Sequence, residues 1–167
     1  EVTDWSITIT SDNNTPNPPP VINGLTYEGN PFNVIENNIS TSSLNVSDFG
    51  SINDVNLLIS GFNICGNSYL GITLQSPNGT SVEIANLNTL GGVLFYETNF
   101  DDEASNHIDD GIDPYFNSFQ PVDNLSAFDL EEINGNWELV VYNQSGCSSE
   151  ITNWSLIIDL ENFSGCS

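Results

Sequence analysis

The sequence predicts an all-β fold: a jelly-roll β-sandwich with an N-terminal strand on a proline-rich linker. Three observations carry this. Short runs rich in β-branched and aromatic residues recur along the chain, bounded by Gly, Asn, Ser or Pro. No stretch of eleven or more residues shows the 3.6-residue apolar stripe of a helix. Turn signals stand between the runs, as a sandwich of many short strands requires. The chain has 167 residues, 38% of them hydrophobic, with three Trp, nine Phe and five Tyr. A chain of that length can bury about two thirds of its surface around one core.

Taken in order, residues 1–10 (EVTDWSITIT) read as a connector strand. Residues 11–24 read as a Pro/Asn-rich linker, because Pro16, Pro18, Pro19 and Pro20 among polar neighbours favour an extended, stiff backbone. Residues 25–161 form the sandwich and 162–167 a C-terminal tail. Within the sandwich the strand-like runs are 52–60, 69–76, 80–85, 137–143 and 154–160. SPNG at 76–79 is a hairpin signal and INGN at 133–136 a second turn. EVTDWSITI at 1–9 matches EITNWSLII at 150–158, with five identities in nine. The N-terminal strand is therefore expected to fill a sheet slot like that of the C-terminal one, with Val2, Trp5, Ile7 and Ile9 as its inserted face.

Charge excludes whole classes of function. There is no Lys or Arg, against 23 acidic residues, for a formal net charge of −23. Nucleic-acid binding needs cations to displace counterions from phosphates, and an anionic membrane surface needs them too. A lysine Schiff base and a P-loop are impossible. No run approaches the roughly 20 apolar residues of a membrane span, so no membrane insertion is expected. There is no basic-then-apolar leader, so Glu1 reads as a mature or trimmed N-terminus. With no cationic partners, the carboxylates must be spread out, hydrated or neutralised by external cations. Ca²⁺, which takes several carboxylate oxygens in one site, is the expected cofactor.

From about Asn53 to Leu160 the sequence resembles the P domain (P/Homo B domain) attached to proprotein convertases and to many secreted bacterial proteins. The resemblance rests on Ile52, Asp54 and Val55; on Leu74, Ser76, Pro77, Gly79 and Thr80; and on Asn99 to Ala104. It continues through L-S-A-F at 125–128 and N-G-N-W-E-L at 134–139, and closes with N-W-S-L at 153–156. It implies a jelly-roll sandwich that commonly binds calcium and has no chemistry of its own. FNICGNSYL at 62–70 replaces the family's usual His-Thr and Gly-Asp-Leu, and the N-terminal strand and linker have no counterpart.

The densest acidic stretch, NFDDEASNHIDDGID at 99–113, supplies the metal-ligand candidates Asp101, Asp102, Glu103, Asp109, Asp110 and Asp113. The resemblance puts its first triplet at a calcium-prone position. Asp129, Glu131 and Glu132 are placed to join, and Asp48 and Asp54 are secondary candidates. His107 reads as a loop histidine, since it lacks zinc-ligand partners nearby in sequence and no G-x-S-x-G elbow accompanies it. No enzyme is expected. Cys65 and Cys147 lie in loops between paired strands and are the expected disulfide; Cys147 with Cys166 is the competing pair. N-x-[ST] sequons begin at Asn13, Asn38, Asn45, Asn78, Asn124, Asn143, Asn153 and Asn162, and all but Asn153 are candidate glycan acceptors.

The leading expectation is a secreted, calcium-stabilised subunit that assembles head to tail by strand addition into an extracellular filament or adhesive stalk, its partners being copies of itself. The alternative is an accessory or binding P domain of a larger secreted enzyme. A third reading is a glycan-binding sandwich that uses Tyr96, Tyr115 and Phe116.

Overall fold

A computed structural model describes residues 24–64, 68–89 and 92–161. The connector strand at 1–10, the linker up to residue 23, Cys65, Cys166, the sequons at Asn13 and Asn162, and the tail lie outside the described residues. Ten strands are described: β1 (Leu25–Gly29), β2 (Phe32–Val34), β3 (Asn38–Val46), β4 (Ile52–Ile64), β5 (Ser68–Gln75), β6 (Ser81–Thr89), β7 (Val93–Phe100), β8 (Tyr115–Phe119), β9 (Gly135–Asn143) and β10 (Ser149–Leu160). They form two sheets packed as a sandwich, the all-β, jelly-roll-like fold that the strand periodicity predicts. One sheet runs β1-β10-β4-β7-β8, with β2 also on β10; the other runs β3-β9-β5-β6. Every pairing is antiparallel except β7 with β8.

Alternation in the sequence becomes the two faces of each sheet. β9 buries Trp137, Leu139 and Val141, and β5 buries Leu70, Ile72 and Leu74. From the opposing sheet come Val55, Leu57, Ile59, Phe62, Phe95, Phe100, Trp154, Leu156 and Ile158. A bulge between β5 and β6 gives β6 one residue more, since Ile72 pairs with Ala85 and Thr73 with Glu83. The extra residue lets both Ile84 and Ala85 face inward.

Each buried tryptophan has a partner for its indole N–H, as a polar group taken out of water requires. Trp137 Nε1 donates to the Ile133 carbonyl at 3.1 Å. Trp154 Nε1 crosses the sandwich to Ser42 Oγ on β3 at 3.1 Å, and Ser42 donates in turn to the Asn30 carbonyl. The Trp154 ring fills the space beside Gly29, its register partner on β1. A β-carbon there would lie 2.0 Å from Trp154 Cε2.

A kink crosses one sheet. Buried positions on β4 change parity, from Leu57 and Ile59 to Phe62 and Ile64, and between them Gly61 has φ +66°. On the neighbouring β7, Glu97 has φ 51°, and on β8 beyond it Asn117 has φ 82°. Only glycine enters this left-handed region without steric cost, and Glu is poorly suited to it.

Gly29→Ala should lower the unfolding free energy by about 1–3 kcal/mol, because the new methyl group overpacks the Trp154 cavity. Urea denaturation followed by tryptophan fluorescence measures this; a midpoint equal to the wild type would show that the indole can move aside.

Candidate functional site

Among the described residues, oxygen ligands combine charge with burial where β4 begins and β7 ends. Asp54 and Asn56, two residues apart on β4, lie on the same face of the strand. Phe100 pairs with Leu57, so Asp101 just past β7 lies beside Asn56. Asn56 is only 6% exposed; its Nδ2 donates to Asp54 Oδ2 at 2.9 Å, and its buried Oδ1 has no hydrogen-bond partner. The buried Asn99 Oδ1 on β7 is likewise unpartnered.

The electrostatics single out the same corner. The Asp54 carboxyl is pushed up from its ordinary 3.8 by burial and then by the negative charge of Asp101, with smaller pushes from Asp102 and Asp129. Glu103 is raised by a hydrogen bond to the Asp101 side chain, then by burial and the charge of Asp54. Asp129 is raised by burial, then by the charges of Asp102 and Glu161. Repelling carboxylates beside buried oxygens without donors form a set that a hard cation would satisfy. Among the described residues, no three His, Cys, Asp or Glu side chains are gathered closely enough to hold a metal by themselves. A cation here would therefore need the amide, carbonyl and water oxygens that Ca²⁺ accepts.

The other candidates named from sequence are dispersed, and most are engaged in structural bonds. Asp102 caps the 3-10 turn Leu125–Phe128, accepting from the Leu125 and Ser126 N–H groups at 2.8 and 2.9 Å. Asp113 accepts from Leu94 N–H at 2.6 Å, and Asp109 and Asp110 lie exposed in the 3-10 turn Ile108–Asp110. His107 caps that turn: its Nδ1 accepts from Asp109 N–H, and Asp109 Oδ2 lies 3.6 Å away. Glu131 accepts from the Thr80 hydroxyl, and its Oε2 is buried without a partner. Glu132 accepts from Gly50 N–H, and Asp48 from the Tyr27 hydroxyl.

Asn56 is the functional candidate that sequence reasoning missed. Its signal is an amide two residues after Asp54 in a strand, where alternation puts both side chains on one face.

Cys147 is disulfide-bonded, and the cysteines that could pair with it, Cys65 and Cys166, fall outside the described residues. Asn143 is fully buried. Its Nδ2 donates to the Cys147 carbonyl and its Oδ1 accepts from Ser145 N–H, so in the folded domain it is closed to a glycan. Asn38, Asn45, Asn78 and Asn124 are exposed. Of the three aromatics read as glycan contacts, Tyr115 is buried in the core, whereas Tyr96 and Phe116 are exposed.

A family model, the proprotein convertase P-domain, matches residues 66–158. No curated protein matches the chain. Among solved structures, the serine protease of Aeromonas sobria is 14% identical with a TM-score of 0.43, over 87% of this chain and 28% of that one. The complex of that protease with the chaperone ORF2 gives 12% identity and a TM-score of 0.44, over 82% and 27% of the respective chains. This chain thus spans less than a third of those proteases.

The pH dependence of stability follows from the raised carboxyls. Asp54, Glu103 and Asp129 bind protons more readily in the folded state, so protonation favours folding. Their contribution is complete below their ordinary values of 3.8, 4.5 and 3.8 and is lost as pH rises through the raised folded values. In chelator, the melting temperature should therefore gain a component that rises as pH falls from neutrality into the carboxylate range. Asp54→Asn should flatten that component; a slope unchanged in the variant would remove Asp54 from the cluster.

Proposed function

The chain belongs to the proprotein convertase P-domain family, and from that premise we propose that it is a non-catalytic accessory or binding domain of a larger secreted protein, stabilised by calcium. The observation that carries this reading is the family match over more than half of the chain, on a β-sandwich of the expected architecture. P domains serve as accessory units to proteases, which supports both a non-catalytic role and an extracellular address.

Calcium fits the corner between β4 and β7. Asp54, Asn56, Asp101 and Glu103 would hold it, with Asn99 close by on β7. The bound ion would give the unpartnered Asn56 Oδ1 a partner and offset the repulsion that raises Asp54 and Glu103. A ligand bound only by the folded state stabilises it by mass action, by about 2.7 kcal/mol at 100 times its Kd. Calcium should accordingly raise the melting temperature, chelator should reverse the rise, and Asp101→Asn should abolish it. A melting curve indifferent to calcium would sink the metal assignment.

Self-assembly by strand addition rests on residues 1–10, outside the described structure, and is favoured by one observation. The 1–9 sequence repeats the positions that β10 buries, with Val2, Trp5, Ser6, Ile7 and Ile9 corresponding to Ile151, Trp154, Ser155, Leu156 and Ile158. Such a segment suits the closing strand of a similar unit, either in the same polypeptide, as the accessory reading expects, or in another molecule. Negative-stain electron microscopy in calcium separates the two. Discrete particles are expected; filaments that vanish when residues 1–10 are deleted would overturn the accessory reading.

A further inference from the structure

The kink across the sheet ends at its edge in an exposed aromatic pair. Phe95 pairs with Tyr115 and Thr98 with Asn117, so β7 carries Tyr96 and Glu97 where β8 carries only Phe116. The mismatch is a bulge, and bulges re-aim side chains. Here two successive residues on each strand face water: Tyr96 and Glu97 on β7, Phe116 and Asn117 on β8. Tyr96 is 57% exposed and Phe116 48%. Their rings are near parallel, 28° apart, with centroids separated by 6.1 Å. That separation exceeds the roughly 3.5–4.0 Å of directly overlaid rings in contact, so the two rings do not cover each other face to face.

Two features argue that this arrangement serves a ligand. Glu97 and Asn117 both occupy the left-handed region, which Asn enters readily but in which Glu is strained. Neither residue is buried, so core packing does not account for holding Glu97 in that conformation. The same two residues place a carboxylate and an amide beside the rings.

We propose that Tyr96 and Phe116, flanked by Glu97 and Asn117, form a binding platform for a neutral pyranose polysaccharide. This function goes beyond that of an accessory P domain and rests on the bulge, not on the family. A pyranose ring has an apolar C–H face that lies against an aromatic ring, and equatorial hydroxyls that reach carboxylate and amide groups at its rim. The 6.1 Å spacing of the two rings suits successive sugars along a chain. Charge selects the class: with a net charge of −23 and no Lys or Arg, the surface repels acidic polysaccharides, phosphates and nucleic acids. Size argues against a protein partner. Two half-exposed aromatic side chains offer on the order of 200 Å², whereas a stable protein interface needs roughly 800 Å² on each side.

Affinity electrophoresis of the 167-residue chain tests this, in gels containing hydroxyethylcellulose, xylan, galactomannan or laminarin, with alginate as the acidic comparison. At least one neutral polymer should retard the protein, and alginate should not. The Tyr96→Ala/Phe116→Ala double variant should lose affinity at least tenfold with its melting temperature preserved. Should that variant melt early, Phe116→Leu, which keeps apolar bulk but removes the flat face, should lose affinity as well. Migration unaffected by all four neutral polymers would overturn the proposal, as would full binding by the double variant. A dimer in sedimentation that dissociates in the double variant would assign the patch to a second copy instead. None of these results bears on the calcium or filament tests of the accessory reading.

Discussion

The absence of cationic side chains is the constraint on which the rest of this structure depends. In an ordinary domain a carboxylate that must be held in place is paired with Lys or Arg. Here the donors are backbone N–H groups, hydroxyls and amides. Asp102 takes two N–H groups at the start of a 3-10 turn, Asp101 takes Glu103 N–H, Asp113 takes Leu94 N–H and Asp123 takes Glu83 N–H. Tyr27, Thr80, Asn53 and Asn86 serve Asp48, Glu131, Asp159 and Glu83. Acidic residues therefore do the work of loop anchors, tying turns to strands at many points. The abundance of Asn, Ser and Thr is the complement of that arrangement, since these side chains donate without carrying charge.

Much of the fold was legible in the sequence, because alternation survives wherever one face of a strand is apolar. The runs at 52–60, 69–76, 80–85, 137–143 and 154–160 lie almost wholly within β4, β5, β6, β9 and β10. SPNG is the hairpin turn it resembles, closed by Gly79 N–H on the Ser76 carbonyl. β3 escaped notice because its buried positions are Ser40, Ser42, Leu44 and Val46, half of them hydroxyls that read as loop. β7 and β8 escaped because their bulge interrupts the two-residue period.

The candidate site was legible in its parts and not in its membership. The acidic run 99–113 looks uniform on paper, yet the chain spends Asp102 and Asp113 on backbone N–H groups and leaves Asp109 and Asp110 on an exposed turn. What gathers at the corner between β4 and β7 is Asp101 and Glu103 from that run, with Asp54 and Asn56 from a strand some fifty residues earlier. Only the β4–β7 register brings those pieces together, and register is a property of the whole sheet. Sequence density finds charge; burial and register decide which charges compete for the same volume.

β10 is the last of the ten strands, yet it lies between β1 and β4, two of the earlier ones. Leu57 pairs with Leu156 and Ile59 with Trp154, contacts that join points on the order of 100 residues apart. At a synthesis rate of about 5–20 residues per second, β4 waits roughly 5–20 seconds for its neighbour. During that interval β1 and β2 lack the strand that joins them to β4, and Trp154, which spans the sandwich to Ser42, does not yet exist. The domain cannot close before translation has passed Leu160. A chain threaded through an export channel while still being made would reach the far side before it could fold, with its folding clock set by its final strand.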